Sequence, residues 1–146
     1  MDQNIQEFLK SEKLAVVGVS RSEKKFGSAV YKELKERGIE VFGVNPNMDT
    51  IFGDPCYPAV ADLADKVDGV VICIPPEKAV VVVSEAAAAG IRRIWLQQGS
   101  QSLETRKAAS EAGVTPVEGK CILMYAGEVK SIHAFHRFFA KLFGQY

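Results

Sequence analysis

Apolar residues in this chain gather in short unbroken runs rather than in polar-apolar alternation. Leu14-Ala15-Val16-Val17-Gly18-Val19 contains no polar side chain. A strand covered on both faces carries such a run, whereas a half-exposed strand would alternate. A polar loop, Ser20-Arg21-Ser22-Glu23-Lys24-Lys25-Phe26-Gly27, comes next. Val30, Tyr31 and Leu34 then recur at helical spacing within residues 28–37, and Gly38 is a natural helix stop. Ile39-Glu40-Val41-Phe42-Gly43-Val44 reads as a second strand, cut off at Asn45-Pro46 because proline cannot donate to a ladder. A β-α-β crossover unit takes about 30 residues, and this one fits.

The rhythm then repeats. Residues 47–58 hold Gly53, Pro55 and Pro58 and read as a connecting loop, and residues 59–66 as a short helix. Val67-Asp68-Gly69-Val70-Val71-Ile72-Cys73-Ile74 is a third strand, ended by Pro75-Pro76. The pattern continues with a helix over 77–89, a strand over 91–96, a helix over 102–112 and a strand over 114–117. In the tail, Ile132, Phe135, Phe138, Phe139 and Leu142 share one face of an amphipathic helix over 131–143. Strands alternating with helices predict an α/β fold: a doubly wound parallel sheet of about five strands, with helices on both faces. No Gly-, Ser- or Pro-rich linker divides it, so residues 1–146 form a single domain.

Composition narrows the function. With 47% hydrophobic and 25% charged residues, the chain is neither disordered, collagen-like nor a coiled coil. Its 18 basic and 18 acidic residues cancel, so the basic excess that drives nucleic-acid binding is missing and any phosphate site must be local. No apolar run approaches the roughly 20 residues that span a bilayer, and the first residues lack the order of a secretory signal. The expectation is a cytoplasmic protein without nucleic-acid or membrane partners. Cys56, Cys73 and Cys121 include no CxxC, which argues for reduced thiols rather than a disulfide framework or zinc site. His133 and His136 stand at i and i+3, a spacing able to hold a metal, but without an HExxH pattern they read as surface or capping residues.

In open α/β sheets, ligands bind beyond the carboxyl ends of the strands. The first such end is Gly18-Val19-Ser20-Arg21-Ser22, with Gly27 opening the helix. Glycines there let backbone approach a pyrophosphate, and a helix N-terminus offers N–H groups and partial positive charge. Arg21, Lys24 and Lys25 add cations. The spacing is not GxGxxG: Ser20 replaces the second glycine, and Gly27 stands too far along for the third. The second end is Asn45-Pro46-Asn47, where NAD-binding domains place an acid to hold the ribose. Its absence fits a 3′-phosphorylated adenosine better than NAD, and is also compatible with no nucleotide. The third end, Ile74-Pro75-Pro76-Glu77, forms a stiff apolar ledge, and the fourth, Trp95-Leu96-Gln97-Gln98-Gly99-Ser100, carries amides and a glycine. Core packing is the plainer role for Trp95.

Taken together, these strand ends resemble the coenzyme A-binding Rossmann-like family, which includes small stand-alone proteins and the nucleotide-binding domain of succinate–CoA ligase α subunits. The resemblance runs from Leu14 to Cys121. It rests on Val17-Gly18-Val19-Ser20-Arg21, Gly27, Val44-Asn45-Pro46, Gly53, Tyr57-Pro58, Val71-Ile72-Cys73-Ile74-Pro75-Pro76, Trp95-Leu96-Gln97-Gln98-Gly99 and Cys121. It implies coenzyme A as the cofactor. Gly18, Val19, Ser20, Arg21, Lys25 and Gly27 would surround the phosphates, and Asn45 and Pro46 would lie by the 3′-phosphoadenosine. Ile74, Pro75 and Pro76 would flank the adenine or pantetheine, and Gln98 and Gly99 the far end of the pocket. Two departures stand out: Asn47 and Met48 follow Asn-Pro where relatives often carry a basic residue, and Val117-Glu118-Gly119-Lys120-Cys121 lacks an arginine. Cys121 could form a mixed disulfide with the CoA thiol, although lone cysteines are more often buried small hydrophobes.

No catalytic constellation of nucleophile, base and orienting partner emerges from the sequence. Three readings stay open: a non-catalytic carrier or sensor of CoA or an acyl-CoA, an NAD(P)-linked oxidoreductase, or an interaction module with an unused nucleotide pocket. The phenylalanine-rich last helix could serve a homodimer.

Overall fold

The computed structural model describes residues 3–22 and 25–125. In chain order the regular elements are α1 (Gln3–Phe8), β1 (Lys13–Val17), α2 (Phe26–Glu36), β2 (Glu40–Val44), β3 (Thr50–Ile51) and β4 (Asp54–Tyr57). A 3-10 turn at Val60–Leu63 leads to β5 (Gly69–Ile72), α3 (Pro76–Ala88), β6 (Arg93–Gln97), α4 (Leu103–Glu111) and β7 (Val117–Lys120). The seven strands form one sheet in the order β3-β4-β2-β1-β5-β6-β7. All neighbours are parallel except β3, which runs antiparallel to β4.

The unbroken apolar runs are explained by burial on both faces. Along β1, Leu14 and Val16 point into one cluster with Ile5, Phe8, Val30, Tyr31, Leu34 and Trp95. Ala15 and Val17 point into the other, with Leu63, Val70, Ile72, Val83, Ile94 and Leu96. Thus α1 and α2 cover one face, while α3, α4 and the 3-10 turn cover the other. Each face is sealed by a different kind of surface. Residues Ala79, Val83 and Ala86 form the buried stripe of α3, and such small side chains let a helix lie close to the strands. That packing outweighs the β-branched preference of its four consecutive valines.

The sheet has seven strands rather than about five, and the difference lies mainly in residues 47–58. This segment folds into a hairpin whose turn residues, Phe52 and Gly53, both have positive φ, 49° and 85°. A two-residue primed turn demands that geometry. Pro55 precedes Cys56 and Tyr57, the two residues of β4 that pair with β2, so its missing N–H falls outside that ladder. The last strand also forms three residues later than the pattern indicates. Val114 instead closes α4, donating to the Ala109 carbonyl at 2.8 Å, and Pro116 delays the ladder until Val117. The helix expected over 59–66 is only the short 3-10 turn, and α1 carries no signal strong enough to anticipate. The helix expected over 131–143, with His133 and His136, lies outside the described residues.

Candidate functional site

Chain order along the sheet locates a reversal. From β1 the chain crosses through α2 to β2 on one side; it later returns to place β5 on the other side of β1. Loops leaving two adjacent strands in opposite directions open a crevice at their carboxyl ends. Here the ladder runs slightly past the strands. Gly18 N–H donates to the Val44 carbonyl at 3.3 Å, and Cys73 N–H to the Val17 carbonyl at 2.9 Å. The ends of β1, β2 and β5 are therefore laced together.

Two glycines set how close the loops come. Gly18 has φ 110°, and a Cβ there would lie 2.5 Å from the Cys73 carbonyl oxygen and 3.0 Å from Cγ2 of Ile74. A Cβ on Gly27 would lie 2.3 Å from the carbonyl oxygen of Gly18. Gly27 thus makes the close helix-strand approach that belongs to the third glycine of a dinucleotide fingerprint, despite its distance along the chain. The longer loop still brings the helix back to the same contact, which corrects the reading from spacing.

A buried serine, not singled out in the sequence, organises the loop between them. Ser28, fully buried on α2, accepts the Ser20 N–H at 2.7 Å and donates to the Ser20 carbonyl at 2.6 Å. The Ser20 hydroxyl in turn accepts the N–H of Ser22 at 3.0 Å. The Ser20 amide is therefore occupied within the protein. Val19 is fully buried and its carbonyl is taken by Asn45, so its side chain lies in the core rather than in the crevice. Arg21 and Lys25 are exposed. Lys25 occupies the N-cap of α2 without a side-chain cap bond, so no side-chain acceptor from this residue quenches the positive end of the helix.

Beyond β2, Asn45 works as a strut. Its Nδ2 donates to the Val19 carbonyl at 2.8 Å and its Oδ1 accepts the Asn47 N–H at 2.8 Å. Pro46 is exposed beside it. Beyond β5, Pro75 is the exposed N-cap of α3, Pro76 is its first residue, and Ile74 is half-buried against Gly18. Burial pushes the Cys73 thiol far above the usual range, with the neighbouring Cys121 adding to it. Beyond β6, Gln98 and Gly99 are exposed at the same end of the sheet, but β5 separates them from β1. Gln97, by contrast, is 1% exposed; it donates to the Cys121 sulfur at 3.2 Å and accepts the Ile122 N–H at 2.7 Å. Trp95 is fully buried, its indole N–H donating to the Lys120 carbonyl at 3.0 Å. Cys121 is itself buried, which removes the access that mixed-disulfide exchange with CoA would need.

A cofactor with a pyrophosphate fits this crevice in kind. Only glycine is accommodated at two contact points, a helix N-terminus points into the loop, and two cationic side chains are exposed beside it. Two surface clefts lie elsewhere. One, of about 230 Å³, opens between α2 and the first residues of β2, where Asp54 accepts from Tyr31 at 2.7 Å and pairs with Lys35. The other, of about 220 Å³, lies by α1 and the start of β6. Among the described residues no cluster of His, Cys, Asp or Glu could hold a metal, and no helix is long and apolar enough to cross a membrane.

Residues 12–126 match the family described as CoA binding domain. The chain belongs to that family. The CoA-binding domain is similar to ADP-forming acetate–CoA ligase II of Archaeoglobus fulgidus, 35% identical over 66% of this chain and 15% of the ligase. Across the acetate–CoA ligases of Methanocaldococcus jannaschii and A. fulgidus, it spans only 11–20% of their length. Among solved structures, a conserved hypothetical protein from Pyrococcus furiosus is 40% identical, with a TM-score of 0.75 over 77% of this chain and 97% of that one. A protein from Pyrococcus horikoshii is 33% identical, with a TM-score of 0.78 over 85% and 88% of the two chains. The Rossmann-like α/β class is thereby shared with small proteins of similar length.

Proposed function

We propose that this protein binds coenzyme A or an acyl-CoA across the carboxyl ends of β1, β2 and β5, as a carrier or sensor without chemistry of its own. One observation carries the reading: the contact of Gly27 with Gly18, at the strand-order reversal, sets the N-terminus of α2 against the loop of Arg21 and Lys25. A pyrophosphate placed there meets N–H groups, a helix dipole and two cations. Ile74, Pro75 and Pro76 then offer an apolar ledge for adenine or pantetheine, and Gln98 and Gly99 border the outer end. The names of the ligase relatives, which act on acetate and CoA, support this choice of ligand. An NAD-linked reaction has no such support, because no acid stands at Asn45 to take the ribose hydroxyls, and an NADP-linked one lacks an arginine at this strand end for the 2′-phosphate.

Thermal unfolding of the full chain tests the reading. A ligand held by the native state at 100 times its Kd stabilises by about 2.7 kcal/mol. For a domain of this size that is a rise in Tm of roughly 5–10 °C. The expected outcome is a rise with CoA or acetyl-CoA and none with NAD or NADP. A rise with NAD alone favours the oxidoreductase, and no rise with any of them leaves an interaction module.

A further inference from the structure

The turn after β2 has its backbone donors consumed from within. Asn45 N–H donates to the Tyr57 carbonyl at 2.9 Å, and Met48 N–H to the Asn45 carbonyl at 3.4 Å. The Asn47 N–H goes to the Asn45 side chain at 2.8 Å, and Pro46 has no N–H. All four backbone positions are thus spent or lack a donor, and one end of the Asn45 amide is committed to the Val19 carbonyl. The segment from Ile39 to Asp65 supplies no Lys, Arg or His of its own, and Asp49 is exposed directly after this turn. Among the described residues, the lysines packed on this segment are turned to other partners: Lys66 lies 5.2 Å over the Tyr57 ring, Lys32 lies 5.1 Å over the Phe52 ring, and Lys35 pairs with Asp54.

In this fold the end of the second crossover strand faces the adenosine ribose. A phosphate on that ribose brings nearly two negative charges and needs charge-assisted donors in return. A ribose hydroxyl needs only one neutral partner. We infer that the site reads the diphosphate and the adenosine but not the 3′-phosphate, so it accepts dephospho-CoA as readily as CoA. This rests on the binding reading above. The cations of the β1–α2 loop serve the diphosphate shared by both ligands, and the exposed Asp49 beside the turn gives a ribose phosphate no favourable charge.

Isothermal titration of the full chain with CoA and with dephospho-CoA, at one salt concentration, tests it. The two Kd values should agree within about threefold, because no charge-assisted contact distinguishes the ligands. CoA binding more than about tenfold tighter overturns the inference while leaving the site reading intact. Failure of both ligands to bind overturns the site reading and this inference with it. Two variants sharpen the result. Asn47→Lys keeps the turn's backbone bonds and adds an exposed cation; it should tighten CoA about three- to tenfold and leave dephospho-CoA unchanged. No change for CoA would place its 3′-phosphate away from this turn and overturn the inference. Arg21→Ala should weaken both ligands alike, and weakening of CoA only would assign Arg21 to the 3′-phosphate and overturn the inference.

Discussion

A methyl group at position 27 would stand 2.3 Å from the Gly18 carbonyl oxygen, well inside contact distance. Gly27→Ala should therefore push α2 off the end of β1, at a cost of about 1–3 kcal/mol for an overpacked contact. Urea unfolding would read this as a lower midpoint with an unchanged slope, and CoA affinity should fall with it. A variant as stable as the parent would mean that the helix can back away freely. The identity of Gly18 and Gly27 was legible in the sequence, but the bond between their roles was not. Spacing counted along the chain says nothing of how the loop between β1 and α2 returns, and Ser28, which ties it at Ser20, resembles any helical serine until its burial is seen. The same holds for Gln97, which sits beside Gln98 at the fourth strand end but bridges to Cys121 and Ile122 in the core.

At the scale of elements, the β3–β4 hairpin is fastened to α2 through Asp54. The Lys35 ammonium and then the Tyr31 hydroxyl hold the Asp54 carboxyl below its ordinary range. A depressed folded value contributes stability above the unfolded value, about 3.9, and loses it as pH falls through the folded one. Asp54→Asn should therefore flatten the acid limb of the stability profile below about pH 4 and leave its shape near neutrality unchanged. Urea midpoints measured across that range check it, and an acid limb as steep as the parent's would remove Asp54 from the account. The effect should shrink in high salt, because the carboxylate's side chain remains 31% exposed. The sequence hid this hairpin behind Gly53, Pro55 and Pro58, since turn residues mark a reversal without stating whether strands flank it. The five strands that pair side by side in parallel were plain, because burial on both faces leaves an apolar run with few other readings.

Across the whole molecule, the packing of α1 and the proposed binding crevice stand at opposite ends of the strands. The α1 helix lays Phe8 against Trp95, ring centroids 5.2 Å apart, and joins Glu7 to Arg93 at the start of β6. Phe8→Ala should cost about 3–5 kcal/mol by leaving a cavity over Trp95. Affinity for CoA should stay unchanged in conditions where the variant is folded, because the ligand contacts proposed above lie at the carboxyl ends. Denaturation paired with titration tests both halves, and a matching loss of affinity would join the two regions. By itself the sequence determined the alternation of strands and helices, the layered α/β class and the glycine-, proline- and amide-bearing ends of four strands, because these follow from local periodicity and turn residues. Only the tertiary structure decided which side chains face the crevice and which are spent inside the protein. Hydrogen-bond partners such as Ser28 with Ser20 and Asn45 with Val19 are separated along the chain, and only the packing of distant segments brings each pair into reach.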